Sequence, residues 1–141
     1  MSLKLLIDSD ILLDAFLDRA PFSQSAFRLL TLLQNRKFNG YCTPIIFSDI
    51  YYLHSQKEGK ISSLEKLKEV RKVLELLTVT QSQVDSALLS DFPDFEDAIQ
   101  YYSALENSMN FIITRNKKDF GKSVIPVMTA EEFIDFYHAT R

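Results

Sequence analysis

The stretch DFEDAIQYYSALENSMNFIITRNKKDF, residues 94–120, predicts a helix followed by a buried strand and a polar loop. The helix is expected over residues 94–109, with an acidic first residue whose side chain can cap free backbone N–H groups. The apolar run 111–114 predicts a short strand that is buried on both faces. Two further acids flank these elements: Asp97 lies in the first turn of the helix, and Asp119 follows the strand.

Short apolar runs alternate with amphipathic stretches along the rest of the chain. Such runs are typical of a parallel sheet that helices cover on both sides. We therefore expect an α/β fold, a three-layer α/β/α sandwich with a short, mostly parallel central sheet, formed by residues 1–141 as a single domain. The other predicted strands are residues 3–7, 41–43, 78–80 and 124–128, with a turn at Asn39-Gly40. The other predicted helices are residues 10–17, one capped by Ser23, residues 45–56 stopped by Gly59, one opened by a capping box at 62–65, residues 82–90, and one opened by a capping box at 129–132 that runs through Tyr137.

Composition excludes several classes of protein. With 141 residues, 46% of them hydrophobic, the chain suits one globular core, and no apolar run is long enough to cross a membrane. The apolar N-terminal stretch ends in acids, so we interpret it as a strand rather than a signal peptide. The single cysteine, Cys42, allows no internal disulfide and favours a reducing, cytoplasmic location. With only three glycines, the chain has no glycine-rich phosphate loop.

The charge pattern does not indicate a general nucleic-acid coat, because the net charge is −3. Basic residues nevertheless cluster in two places, residues 57–72 and residues 115–122. Either cluster can contact phosphate groups. For the first cluster, a solvated helix face is the favoured interpretation.

Acidic residues are the strongest candidates for chemistry. Asp8 ends the first predicted strand, and ligands of open α/β sheets collect beyond the carboxyl ends of the strands. Asp8 can equally serve as a helix cap after that strand. If the strands that precede Asp8 and Asp119 are neighbours, both acids face one crevice.

Two other acids are predicted to join them. Asp49 shares a face of its predicted helix with Ile46 and Leu53, and acids beside an apolar stripe are rarely placed there without a partner. Asp97 lies beside the buried face of its own helix. Because like charges repel, a cluster of these acids needs compensation, and a hard divalent cation is the usual one. Convergence of Asp8, Asp49, Asp97 and Asp119 would therefore indicate a metal-dependent enzyme that acts on phosphate esters.

Other polar residues have simpler interpretations. Asp10, Asp94 and Glu96 lie at the starts of predicted helices, where acids cap N–H groups or complement the helix dipole. His54 and His138 are isolated from one another, so we assign them ordinary core or surface roles.

Taken in order, these segments resemble the PIN-domain family of metal-dependent ribonucleases. The most specific part is residues 94–120, in which an acid opens a helix and a strand leads into Thr-Arg-Asn, with Asp-Phe close behind. The resemblance covers almost the whole chain and also rests on LLIDSDILLDAF (residues 5–16), TPIIFSDIYYL (43–53) and IPVMTAEEFI (125–134). Two positions depart from the family pattern. The second acid is commonly Glu but is Asp49 here, and Asn116 stands where an acid often follows Thr-Arg, so Asp119 is expected to supply that charge.

The resemblance implies a metal-dependent endoribonuclease that cleaves single-stranded RNA through an acidic Mg²⁺ or Mn²⁺ site. Asp8, Asp97 and Asp119 would bind the metal directly or through water, and Asp49 would be a further ligand or would orient one. The residues that would contact substrate phosphates lie at the end of the strand 111–114 and just beyond it: Thr114, Arg115 and Asn116. Small members of the family resemble the toxins of bacterial toxin–antitoxin pairs. A homodimer and an antitoxin protein are therefore the expected partners.

Two alternative functions stay open from the sequence. Asp8-Ser9-Asp10 resembles the DxD opening of haloacid-dehalogenase-type phosphatases, in which the first Asp is a nucleophile and the second a general acid. The acid pair that this class needs after its lysine would fall at Glu131-Glu132, on the capped final helix. The other alternative is a PIN module with a degraded site that binds RNA or a protein, as Asn116 suggests.

Overall fold

The structure, a computed structural model, describes residues 2–140, in which short strands alternate with helices. The strands are β1 (Lys4–Ile7), β2 (Asn39–Cys42), β3 (Leu74–Leu76), β4 (Phe111–Ile113) and β5 (Val127–Met128). The helices are α1 (Ser9–Phe16), α2 (Ser23–Gln34), α3 (Pro44–Glu58), α4 (Lys60–Val73), α5 (Gln81–Leu88), α6 (Phe95–Glu106) and α7 (Ala130–Ala139), with a short 3₁₀ helix at Lys117–Phe120. Every helix within residues 2–140 is too short or too polar to cross a lipid bilayer.

All the strands pair in parallel, in the order β3-β2-β1-β4-β5. Strand β1 lies at the centre, with Leu6 opposite Tyr41 of β2 and Ile7 opposite Ile113 of β4. This register brings the carboxyl ends of β1 and β4 to the same edge of the sheet. The parallel sheet predicted from the sequence is confirmed.

Helices cover both faces of this sheet. Successive residues of a strand point to opposite faces. Leu5 and Ile7 therefore pack in one core cluster with residues of α1, α2 and α7, whereas Leu6 packs in another with Tyr101 and Ala104 of α6. Burial on both sides explains why the central strands are continuous apolar runs, and it confirms the predicted three layers.

The strand predicted at residues 78–80 is wrong. Strand β3 lies earlier and pairs with β2 from Gly40 opposite Leu74 to Cys42 opposite Leu76. It follows α4 without a connecting loop, and Leu74, which is 1% exposed, packs into the core as the first strand residue. The pairing with β2 decides this position, and the β-branched residues at 78–80, which are a local signal, do not reveal it.

Two predicted helix caps are also wrong. The capping box at 62–65 lies inside α4, whose N-cap is Gly59. Ser62, the residue that would cap in this box, is therefore already helical. Ser63 is buried, and its hydroxyl donates to the Gly59 carbonyl at 2.8 Å and contacts His54 Nδ1 at 2.6 Å. Ser23 is the first residue of α2 rather than its cap.

The turn predicted at Asn39-Gly40 is wrong as well, since both residues belong to β2. Glycine is needed at position 40 for a different reason. A Cβ atom there would collide with the Leu74 side chain and would lie 2.8 Å from Cδ2 of Leu33. The glycine thus allows α2 and β3 to approach β2 closely.

We expect Gly40→Ala to lower the free energy of unfolding by about 1–3 kcal/mol, because two buried leucines must move to accept the new methyl group. Urea unfolding of the full chain measures this loss. Gly121→Ala is the matched control: an added Cβ would meet only the Lys118 carbonyl, at 3.4 Å, and the residue is exposed. Equal losses in the two variants would contradict the close-packing argument.

Candidate functional site

The carboxyl ends of β1 and β4 hold the first part of the site. The backbone N–H of Asp8 donates to the Ile113 carbonyl at 3.0 Å, which continues the β1–β4 pairing by one residue. Thr114 then donates its hydroxyl proton to Asp8 Oδ2 at 2.9 Å. The other oxygen, Oδ1, accepts the backbone N–H of Ser9 at 2.8 Å and caps α1. Asp8 is therefore both the helix cap and the acid at the strand end, and it is 7% exposed.

Asp10 belongs to the same site, although the sequence analysis assigned it to the helix dipole. Its carboxylate accepts the backbone N–H of Arg115 at 3.0 Å and faces the Thr114 hydroxyl at 3.3 Å. These contacts tie the start of α1 to the loop after β4. The signal in the sequence for this role was the spacing Asp8-Ser9-Asp10, which places both acids at the start of one helix.

The first turn of α6 supplies the opposite wall. Asp94 caps this helix by accepting the backbone N–H of Asp97 at 2.9 Å, as predicted. Asp97 is 8% exposed, and its carboxylate accepts the Asn116 side-chain amide at 3.2 Å. The same amide nitrogen donates to Asp119 at 2.8 Å. Three of the predicted acids thus face one crevice of about 390 Å³. Its lining is Asp8, Ser9, Asp10, Leu13, Arg19, Leu53, Asp94, Glu96, Asp97, Arg115, Asn116 and Asp119.

Asp49 lies just outside this lining, on α3. Its carboxyl shares a hydrogen bond with Glu96, which does line the crevice. The predicted helix face is partly wrong, because Leu53 is 44% exposed and His54 is the buried residue in its place. Glu96 was assigned to the helix dipole, and its contact with Asp49 depends on the packing of α3 against α6.

Burial and mutual repulsion raise the pKa of three acids in this cluster. Burial, and then the charge of Asp10, raises the pKa of Asp8 to about 6. Burial, and then the charge of Asp8, raises the pKa of Asp97 to about 7. Burial, and then the hydrogen bond from Asp49, raises the pKa of Glu96 to about 8. The protein itself does not neutralise this cluster, so an external positive charge would stabilise it.

Two arginines at the edge of the crevice are held by one buried acid, Asp14. Arg115 donates to both Asp14 oxygens, from Nε at 2.7 Å and from Nη2 at 2.9 Å. Arg19 donates from Nε to Asp14 Oδ1 at 2.9 Å. The hydrogen bonds with Asp14 raise the pKa of Arg115 above its ordinary value. Asp14 and Arg19 were not among the predicted site residues, since more than 100 positions separate Asp14 from Arg115.

The donor set suits a hard divalent cation, because Mg²⁺ and Mn²⁺ prefer carboxylate and amide oxygens. Among residues 2–140, no three His, Cys, Asp or Glu side chains lie together in positions that could hold a metal ion. The Asn116 amide accounts for part of this, since its NH₂ group bonds to both Asp97 and Asp119. Binding would require this amide to turn away and the carboxylates to move closer together.

Comparison with known proteins identifies the family of this chain. The family model described as PIN domain matches residues 4–118, which is most of the chain. The chain belongs to the PIN domain family. A curated relative of this PIN domain, Ribonuclease VapC1 of Aquifex aeolicus (strain VF5), is 27% identical over 137 residues, or 94% of each chain.

Solved structures share the fold. VapBC2 from Rickettsia felis, bound to a DNA fragment from its promoter, gives a TM-score of 0.69 at 15% identity, covering 89% of this chain and 97% of that chain. A toxin–antitoxin complex from Klebsiella pneumoniae gives 0.67 at 20% identity, with the same coverage. At these identities the similarity establishes the PIN architecture.

The raised pKa values predict how stability depends on pH. The folded chain holds protons on Asp8, Asp97 and Glu96 at pH values where the unfolded chain has released them. The metal-free protein should therefore lose stability as the pH rises from about 4 to about 8. At about 1.4 kcal/mol per pKa unit, Asp8 alone contributes a loss of about 3 kcal/mol, between about pH 4 and about pH 6. Urea unfolding in EDTA across this range measures the slope.

The matched control is Asp97→Asn, which removes one titrating carboxyl and should flatten the slope. Addition of Mn²⁺ should raise the melting temperature more at about pH 8 than at about pH 6, because ligands must be deprotonated. Stability that rises through this interval in EDTA would show that the cluster is compensated in another way.

Proposed function

We propose that this PIN domain is a metal-dependent endoribonuclease that cleaves single-stranded RNA. The observation that carries the proposal is the convergence of Asp8, Asp97 and Asp119, from three separate segments, on one crevice in which burial raises the pKa of Asp8 and of Asp97. Assembling uncompensated acids costs stability, and such costs are concentrated at functional sites. The name of the Aquifex relative, a ribonuclease, supports RNA as the substrate class.

In this proposal Asp8, Asp97 and Asp119 hold Mg²⁺ or Mn²⁺. When bound, the cation lowers the pKa of a water molecule and offsets the charge that develops on the phosphate. Asp49 acts through its hydrogen bond to Glu96, which fixes that carboxyl beside the crevice. Asp49 is thus a positioning residue that does not itself hold the metal.

The loop after β4 contacts the substrate. Thr114 keeps Asp8 in place through its hydroxyl, and Asn116 becomes available to a phosphate oxygen once its amide leaves Asp97 and Asp119. Asp14 orients the Arg115 guanidinium through Nε and Nη2, so the remaining N–H groups can point to the scissile phosphate.

An antitoxin protein is the proposed partner, and a homodimer the proposed assembly. The supporting observation is that similar folds come from a toxin–antitoxin complex and from VapBC2. A toxin acting on cellular RNA would work in the cytoplasm. The family assignment argues against the haloacid-dehalogenase alternative. In addition, Glu132 is already engaged by the Thr129 backbone N–H at 2.9 Å and by Lys117 at 2.9 Å.

We expect Asp8→Asn and Asp97→Asn each to reduce Mn²⁺-dependent cleavage of a labelled single-stranded RNA by at least about 100-fold, because each removes a charge from the cation site. Asp135→Asn, an exposed acid on α7, is the control and should retain full activity. Cleavage that persists unchanged in Asp8→Asn, or that is insensitive to EDTA, would contradict the proposal. Binding of RNA with no cleavage by the wild type would favour the degraded-site alternative.

The departure at position 116 gives a separate prediction. Asp119→Asn should weaken Mn²⁺ binding by about tenfold or more, whereas Asn116→Asp should strengthen it, because an acid there adds a ligand and ends the amide's contacts with Asp97 and Asp119. Calorimetric titration with Mn²⁺ measures both constants. Unchanged affinity in Asp119→Asn would remove Asp119 from the site and leave Asp8 and Asp97 as its core.

A further inference from the structure

A second cavity, of about 350 Å³, opens beside the acidic crevice and shares Arg115 with it. We call it the Phe22 pocket. Its apolar wall includes Pro21, Phe22 and Ala26, and its polar edge includes Ser25 and Glu131. Apart from Arg115 and the Asp14 that orients it, the proposed cleavage reaction uses none of the residues that line this pocket.

The wall beside the crevice is formed by Arg115 and Phe22. The Arg115 guanidinium carbon lies 3.9 Å from the centre of the Phe22 ring, so the two groups stack. Asp14 fixes the guanidinium from its edge, through two hydrogen bonds. Phe22 remains 41% exposed beside this pair. Aromatic rings and arginine planes that are held in this way are the surfaces on which unpaired nucleobases stack.

Glu131 supplies the polar edge. The other acid of the pocket, Asp14, has both oxygens bound by arginines, and the adjacent Glu132 bonds to the Thr129 N–H and to Lys117. Within residues 2–140, no hydrogen bond or ion pair engages the Glu131 carboxylate, and this residue is exposed. An ionised carboxylate only accepts hydrogen bonds and can accept two in parallel. Guanine is the one RNA base whose Watson–Crick edge presents two adjacent N–H donors, at N1 and N2.

We propose that the Phe22 pocket binds the base of a nucleotide adjacent to the cleaved phosphodiester and selects guanine. The inference rests on the proposed nuclease function, because Arg115 borders both cavities and would lie between the scissile phosphate and the neighbouring base. The base stacks on the part of Phe22 that Arg115 leaves exposed, and its N1–H and N2–H groups donate to Glu131. An arginine side chain of a peptide would also stack on Phe22 and pair with Glu131, but its charge would be repelled by the adjacent Arg115, whereas a neutral base meets no such repulsion.

Binding can be tested without cleavage. The ¹⁵N-labelled full chain in EDTA is titrated with GMP, AMP, CMP and UMP, and backbone amide shifts are followed at Ser25, Ala26, Ala130 and Glu131. We expect GMP to bind about tenfold more tightly than the other three. Phe22→Ala should weaken all four by about tenfold through lost stacking, and Glu131→Gln should remove the preference for GMP. The matched controls are Phe27→Ala, an exposed phenylalanine of α2 outside the pocket, and Asp135→Asn on α7.

Cleavage mapping separates this proposal from the nuclease assignment. Wild-type protein with Mn²⁺ should cut a mixed-sequence RNA mainly beside G, and Glu131→Gln should cut it without that preference, as measured by the relative rates at G and at the other nucleotides within one digestion. Cleavage with a preference that survives Glu131→Gln would overturn the pocket and leave the nuclease intact. No cleavage, together with selective GMP binding, would support the pocket and count against the nuclease. If none of the nucleotides shifts these amides, the base pocket is wrong and a protein segment becomes the better occupant.

Discussion

The pairing of β1 with β4 is the interaction on which the site depends. It places Ile7 opposite Ile113, so the next residues, Asp8 and Thr114, meet through a hydrogen bond of 2.9 Å. These two strands come from opposite ends of the chain, and both are buried on both faces. A register shift by one residue would turn Leu5, Leu6 and Ile7 to the wrong layers. The packing that stabilises the fold therefore also fixes the position of the acids.

Helix capping explains part of the rest of the site. Helix α1 begins directly after Asp8 and α6 directly after Asp94, and each of these carboxylates accepts a backbone N–H group of its helix. Capping alone would not require Asp97 to be buried beside Asp8. In the proposed function the repulsion between them is the cost of a binding site, and a bound cation would offset it.

The sequence predicts the parts of this arrangement that depend on neighbours in the chain. The apolar runs of β1 and β4, the cap at Asp94 and the box at Thr129 are all local signals, and they were confirmed. Contacts between distant elements were missed. The Asp49–Glu96 contact needs the packing of α3 on α6, and the position of β3 depends on its pairing with β2. No local pattern reports either one.

The sharing of Asp14 by Arg19 and Arg115 has an electrostatic consequence. Asp10, whose charge also acts on Arg115, brings the count at this rim to two carboxylates for two guanidinium groups, whereas the far side of the cleft holds acids alone. The cleft is therefore least negative at the rim of the arginines. A polyanion diffusing toward the molecule would meet less repulsion there than at the opposite side, so the protein sets the direction of approach before any specific contact forms.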